Sequence, residues 1–366
     1  MLTFIKETQT VWQKLKETTK PIVLYGMGNG ADKILDWCEE NNVKVKDVFA
    51  SDAFVRGQSY RGFKVLKYSD LVEKYEDFLI VLAFASESPQ VLSQFYELST
   101  KHEFLAPHLP LFESDEIVTK QWLEKYETRL QDIYNSLADQ KSQEVFSDLL
   151  NYKISGNINY LKTAETSRKK DLLELINLDS STSSKEVYLD LGAYNGDTIE
   201  EFLELTNNNY HRIIALEPDT KNFKKLKKNL EAKGLAKTSL INKGIWNKET
   251  TLLFSNSGGR QSTLIDATKL VIPVTTIDLI CQKEELKLPL TFIKMDVEGA
   301  EIEALEGGKK SIAKDKPKLF IAAYHRDNDL FLLPELIKKL AKYDIYLRKH
   351  PYIPAWEINY LCLPKQ

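Results

Sequence analysis

Cysteine is scarce in this chain, with Cys38, Cys281 and Cys362 the only three in 366 residues. They lie far apart, odd in number and without metal-ligand spacing, which excludes a disulfide framework and makes a reducing compartment the default. Charge of one sign is also lacking. The formal net charge of −3 gives no electrostatic case for a nucleic-acid partner. The longest apolar run, Phe78 to Ala85, is far too short to span a bilayer. The N-terminus is charged and amphipathic, with no apolar signal core. These absences predict a soluble, cytoplasmic protein without a transmembrane segment. The length and a hydrophobic content of 43% suit a globular protein of about two domains.

What is present centres on Val187-Tyr-Leu-Asp-Leu-Gly-Ala-Tyr-Asn-Gly-Asp197. Val187 to Leu191 reads as a buried parallel strand. It carries Asp190 near its end and breaks into a loop with Gly192 and Gly196. Ile199, Phe202, Leu203 and Leu205 then recur at helical spacing. A strand, glycine loop and helix bring backbone N–H groups and a helix N-terminus toward a bound anion. The Gly-x-x-x-Gly spacing is not that of a dinucleotide fold. Arg212-Ile-Ile-Ala-Leu-Glu217 reads as the next strand, followed by Pro218-Asp219. An acid in the place of Glu217 is where a doubly wound sheet bonds ribose hydroxyls; its duller role is to precede a turn.

The first 110 residues read as a separate small α/β domain. Phe4 to Lys16 predicts an amphipathic helix. The strand Pro21 to Tyr25 then runs into Gly26, Gly28 and Gly30, and Asp52 lies beyond a further apolar run. Gly26, Gly28 and Ala31 fit a dinucleotide fingerprint. They predict either a nucleotide or nucleotide-sugar site, or a scaffold that binds nothing. From Asp115 the pattern changes to helical periodicity through Trp122, Tyr126, Leu130, Ile133 and Leu137, with a second helix from Ser142 to Lys153. Asp179 to Ser184 reads as a linker. The predicted boundaries are therefore 1–114 for a small Rossmann-like domain, 115–185 for a helical connector and 186–366 for the second α/β domain.

Later in the chain, Leu290 to Met295 reads as a central strand with Asp296 at its carboxyl end. Ligands of open α/β sheets gather beyond such ends, so Asp296 is expected on the rim that holds Asp190 and Glu217. Glu298 and Glu301 follow; Glu301 is expected to favour the dipole at the start of a helix from Ala300 to Lys310, and the role of Glu298 is left open. The strand Lys318 to Ala323 delivers Tyr324-His325-Arg326-Asp327 to the same rim. Gly258 to Ser262 reads as a polar loop, either a substrate cover or a surface turn. Ile345 to Arg348 and Glu357 to Leu363 read as a terminal antiparallel pair.

From about Val187 to Leu363 the chain resembles the FkbM family of S-adenosylmethionine-dependent methyltransferases. The resemblance rests on Leu189-Asp-Leu-Gly-Ala-Tyr-Asn-Gly-Asp197, Leu216-Glu-Pro218, Thr275-Thr-Ile-Asp278 and Ile293-Lys-Met-Asp-Val-Glu-Gly-Ala-Glu301. It continues through Tyr324-His325 and Tyr346-Leu-Arg348. It implies a seven-stranded Rossmann-like sheet and methyl transfer from S-adenosylmethionine to oxygen, commonly on a sugar, glycan or natural product. Carried over, Asp190, Gly192, Ala193, Tyr194, Asn195 and Gly196 surround the methionine part of the cofactor, with Glu217 and Pro218 at the ribose. Asp296 and His325 face the acceptor. His325 is the expected base, by its unperturbed pKa, and Asp296 the acceptor ligand. No metal is expected, a metal on Asp296 with Glu298 being the remaining possibility. Two other classes are a nucleotide- or sugar-binding protein without catalysis, and an NAD-dependent oxidoreductase using Gly26 to Ala31.

Overall fold

The computed structural model describes residues 2–112, 115–178, 186–235, 237–254, 270–284, 286 and 288–365. Gly258 to Ser262 and Asp179 to Ser184 lie outside these residues. The chain divides into two compact units. Unit 1 comprises Met1–Tyr134, Gln143–Thr166 and Lys349–Glu357; unit 2 comprises Asn135–Ser142, Ser167–Arg348 and Ile358–Gln366. The stretch expected as a connector, 115–185, is shared between the units rather than standing apart.

In unit 1 the strands are β1 (Ile22–Tyr25), β2 (Val45–Phe49), β3 (Ser59–Tyr60), β4 (Phe63–Leu66), β5 (Leu79–Leu82) and β6 (Glu103–Leu105), in the order β3-β4-β2-β1-β5-β6. All pair in parallel except the β3–β4 hairpin. β1 and β5 are buried at every position, as central parallel strands covered on both faces must be. The first helix starts only at Val11, where Thr10 and Gln13 form a capping box. The expected start at Phe4 fails because Asn151 claims the preceding backbone: its Oδ1 accepts the N–H groups of Lys6 and Glu7, at 2.7 and 3.0 Å. The helical periodicity through Trp122 and Leu137 resolves into two helices, Lys120–Lys125 and Glu127–Ser136.

Unit 2 holds β7 (Val187–Leu191), β8 (Arg212–Leu216), β9 (Thr238–Ile241), β10 (Gly244–Ile245), β11 (Thr250–Phe254), β12 (Leu270–Thr275), β13 (Phe292–Met295), β14 (Lys318–Ala322), β15 (Tyr343–Lys349) and β16 (Ile358–Pro364). Seven of them form one sheet in the order β15-β16-β14-β13-β7-β8-β9, the Rossmann-like sheet that the sequence resemblance implies. β14, β13, β7, β8 and β9 are successively parallel, and β16 joins antiparallel. β10, β12 and β11 form a small separate sheet. The core on one face is pinned by Tyr188, which stacks on Phe202 at 4.5 Å and on Phe292 at 4.9 Å. The helix expected over Ala300 to Lys310 is instead two, Glu301–Gly307 and Lys309–Asp315, meeting at Gly308. Among the described residues no helix is long and apolar enough to cross a membrane.

Candidate active site

The carboxyl ends of β7, β8, β13 and β14 carry the groups of interest. After β7 the chain turns at Gly192, φ +82°, where an added Cβ would lie 1.9 Å from the Asp296 carbonyl oxygen. Only glycine lets the two loops approach so closely. The Gly192 and Ala193 N–H groups both donate to the Leu216 carbonyl. Gly196, φ +95°, then opens the helix Asp197–Leu205. Between these glycines, Tyr194 is 49% exposed while Ala193 is fully buried. Asn195 gives its carbonyl to the Asn229 side chain at 2.9 Å.

Glu217, just beyond β8, is oriented by that same loop. Its carboxylate accepts the Tyr194 N–H at 2.9 Å and the Asp219 N–H at 2.8 Å. Two of its roughly four lone-pair sites are thus used. Burial raises its pKa, and the two N–H donors pull in the opposite sense. Pro218 follows, and its carbonyl and that of Glu217 both accept from the Asn242 side chain.

Asp190 sits differently from expectation: it is fully buried beneath the loop. Thr198 donates to one of its oxygens at 2.5 Å, and the Lys294 ammonium stands 3.4 Å from the other. Lys294, opposite Asp190 in the β7–β13 register, also donates to the Gly192 carbonyl at 2.8 Å. Burial works against its charge, but Asp190 and Asp296 hold its pKa above that of a free lysine. A lysine inside a strand reads as an edge or surface position. Only the β7–β13 pairing shows that it serves the glycine loop.

At the ends of β13 and β14 an acidic cluster closes around His325. The ring is 2% exposed. Its Nε2 lies 3.4 Å from Asp296 and 3.5 Å from Glu298, and its Nδ1 lies 3.0 Å from Glu301. Burial disfavours the imidazolium, yet Glu301, Glu298 and Asp296 together hold the His325 pKa well above the ordinary value. Asp296, one-third exposed, accepts from the Tyr324 hydroxyl and is the open member of the pair. Burial pushes its carboxyl pKa up, while Lys294 and His325 pull it down. Glu301 is 1% exposed and takes the Val297 N–H at 2.9 Å, so it does more than favour a helix end.

The glycine loop of unit 1 has other partners. A Cβ on Gly26 would strike the Phe84 ring, and one on Gly30 the Ala83 carbonyl. The Gly28 N–H donates to the Tyr60 hydroxyl at 3.2 Å, and that hydroxyl lies 2.6 Å from Asp32. Asp52 is exposed in a short 3-10 turn. Close packing thus accounts for Gly26 and Gly30, and Tyr60 takes the donor that a phosphate would need.

A mostly parallel sheet with a glycine loop after its central strand, strand-end acids on the two strands flanking it and an antiparallel last strand is a Rossmann-like methyltransferase fold. Residues 190–351 match the model of the methyltransferase FkbM domain, a match that supports S-adenosylmethionine as the cofactor of this part of the chain. The crystal structure of the FkbM methyltransferase from Methylobacillus flagellatus KT matches with 21% identity and a TM-score of 0.71, over 98% of this chain and 95% of that one. The fold is therefore shared along nearly the whole length. An rRNA methylase from Streptococcus thermophilus matches at 14% identity and TM-score 0.36, over 55% of this chain and 100% of its own. No curated protein matches the chain.

Proposed function

We propose that the protein transfers the methyl group of S-adenosylmethionine to oxygen, on a hydroxyl of a sugar, glycan or natural product. The carrying observation is the contact of the Gly192 loop with the Asp296 backbone, which puts the donor loop and the strand-end acid side by side. The donor end fits the cofactor. Glu217 is buried, oriented by two backbone donors and left with free lone pairs for two ribose hydroxyls. The loop from Gly192 to Gly196 would embrace the methionine part, held from beneath by Lys294 and Asp190. When bound, the cofactor supplies an electrophilic methyl group on a sulfonium, and alignment of the acceptor oxygen supplies much of the acceleration.

At the acceptor end Asp296 is the group that meets the hydroxyl. His325 is turned inward among carboxylates, so it acts through Asp296 as a positioning residue rather than as the expected base. A reducing, cytoplasmic setting belongs to this reading, with Cys38, Cys281 and Cys362 all free. The NAD and nucleotide-sugar readings draw no support from the unit 1 loop, where Tyr60 holds Gly28. The test is release of S-adenosylhomocysteine against a panel of nucleotide sugars, glycolipids and cell-wall sugars. Turnover with one hydroxyl class is expected. Turnover confined to amine or nucleic-acid acceptors would overturn the oxygen assignment, and binding of the cofactor with no product from any acceptor would favour the non-catalytic binding protein.

A further inference from the structure

We propose that the outer face of the helix Thr220–Ala232 is a docking surface for an anionic membrane, engaged by Lys221, Lys224, Lys225 and Lys228. At about 100° per residue these four lysines share one stripe of the helix, about 10 Å long. Phe223, Leu226 and Leu230 occupy the opposite side, where they pack into the core of unit 2. The helix is therefore fixed by its apolar side and turns the four lysines outward, each of them exposed. It carries five lysines and one glutamate, a net of +4 in a chain whose total is −3.

A face meant only for solvation would be built differently. Lys227 pairs with Glu231 and Lys233 with Glu200, but none of the four stripe lysines forms an ion pair with a described residue. The other lysine-rich helix, Lys309–Asp315, matches Lys309 to Glu306 and Lys314 to Asp315. Lys221 and Lys225, like Lys224 and Lys228, stand four residues apart, where like charges destabilise a helix. Lys221 also lies in the first turn, at the positive end of the helix dipole, and that turn holds no acid. Both arrangements cost stability, and both are relieved when a negative surface lies against the stripe.

The same helix is tied to the cofactor site near both ends. Asp219, whose N–H donates to Glu217, caps it by accepting the Lys221 and Asn222 N–H groups at 2.9 and 2.8 Å. Toward the other end, Asn229 donates to the Asn195 carbonyl of the glycine loop at 2.9 Å. A surface gripped by the lysines is thus held in register with that loop. A flat layer of anionic headgroups meets the whole row at once, each lysine strengthening the contact by about fivefold. A nucleic acid long enough to be held would run past the row onto a protein of net negative charge. A second copy docked stripe to stripe would set lysine against lysine. With its apolar side committed to the core, the helix adsorbs by charge alone and does not insert. The consequence, which rests on the hydroxyl reading above, is an acceptor carried on a lipid and reached from the membrane surface.

The test is co-sedimentation of the full-length protein with vesicles of phosphatidylcholine, either alone or mixed equally with phosphatidylglycerol. Binding to the mixed vesicles only is expected, lost between about 0.1 and 1 M salt as the screening length falls from about 10 to 3 Å. Combining Lys221→Gln, Lys224→Gln, Lys225→Gln and Lys228→Gln should weaken it by at least about a hundredfold, and each single change by about fivefold. The same replacement at Lys44, Lys46, Lys64 and Lys120, exposed lysines of unit 1, should leave it within about threefold. Melting temperature and S-adenosylhomocysteine affinity, measured on every variant, should match the parent protein. No excess binding to the mixed vesicles, or binding indifferent to the stripe substitutions, would overturn the surface. So would stripe-dependent binding of a single-stranded RNA without vesicle binding. Vesicle binding that follows the stripe in protein that methylates no hydroxyl acceptor would keep the surface and remove the lipid-borne acceptor instead.

Discussion

The two units each contain a parallel strand that breaks into a glycine loop and then a helix, yet the loops have different neighbours. In unit 1, Gly26 and Gly30 make room for the Phe84 ring and the Ala83 carbonyl, and Tyr60 occupies the Gly28 N–H. In unit 2, Gly192 makes room for the backbone of an adjacent strand end, and the loop is held by Glu217 from one side and by the Lys294–Asp190 pair from beneath. The difference teaches that glycine spacing reports how closely chain segments approach, whichever segment that is. A ligand site is marked by the acids at the strand ends, which unit 1 replaces with a single exposed Asp52.

Four experiments press on that contrast. The largest effect should come from the acid itself: Asp296→Asn is expected to lower turnover by about 10²–10⁴-fold, the range for loss of a group that handles the acceptor proton. Asp52→Ala, its unit 1 counterpart, should leave turnover unchanged. Single-turnover kinetics decide both, and equal losses in the two variants would dissolve the distinction.

Next in size is a pair of glycine substitutions. Gly192→Ala forces a Cβ against the Asp296 carbonyl at 1.9 Å and should weaken S-adenosylhomocysteine by more than about a hundredfold, a loss of roughly 3 kcal/mol. Gly28→Ala meets nothing within 4 Å but holds φ at +99°. It should cost about 1–3 kcal/mol of stability through backbone strain alone and leave the cofactor site intact. Calorimetry alongside thermal melting separates the outcomes.

Glu217→Gln comes third. It keeps the shape of the side chain but removes the charge behind the ribose bonds, worth about 1.5–3 kcal/mol for a hydrogen bond to a charged group. Titration of the folded variant should show S-adenosylhomocysteine weakened about 10–100-fold. Unchanged affinity would remove Glu217 from the cofactor. The smallest effect is expected from Tyr60→Phe, which deletes the hydroxyl bonded to Gly28 and Asp32 and should lower stability by about 0.5–1.5 kcal/mol. If that variant instead gained affinity for a nucleotide, unit 1 would hold a second, masked site.

Much of unit 2 could be read before its structure. The strand Val187 to Leu191 and the strand-end acids Glu217 and Asp296 stand where their patterns put them, because central parallel strands are apolar throughout and end abruptly. Less legible was anything depending on which strand lies beside which. Lys294 serves the glycine loop only because β13 neighbours β7, and Glu301 reaches His325 only because the turn after Asp296 folds back. His325 was correctly expected at the end of β14, but its sequence position says nothing of whether the ring faces out or in. The early helix was misjudged for a similar reason: Asn151, distant in sequence, takes the backbone donors that a helix from Phe4 would have used.

Lys349 to Glu357 belongs to unit 1, though the residues on either side belong to unit 2. Within unit 1 this excursion pairs Ile353 with Ser86, and Lys349 with Glu165. Order of synthesis follows from that. A ribosome releases residues up to 134 long before the excursion, so unit 1 must wait, incomplete, until residues 349–357 emerge. The growing chain therefore completes unit 1 only after most of unit 2 has been made, and a chain cut anywhere before Lys349 lacks part of both units at once.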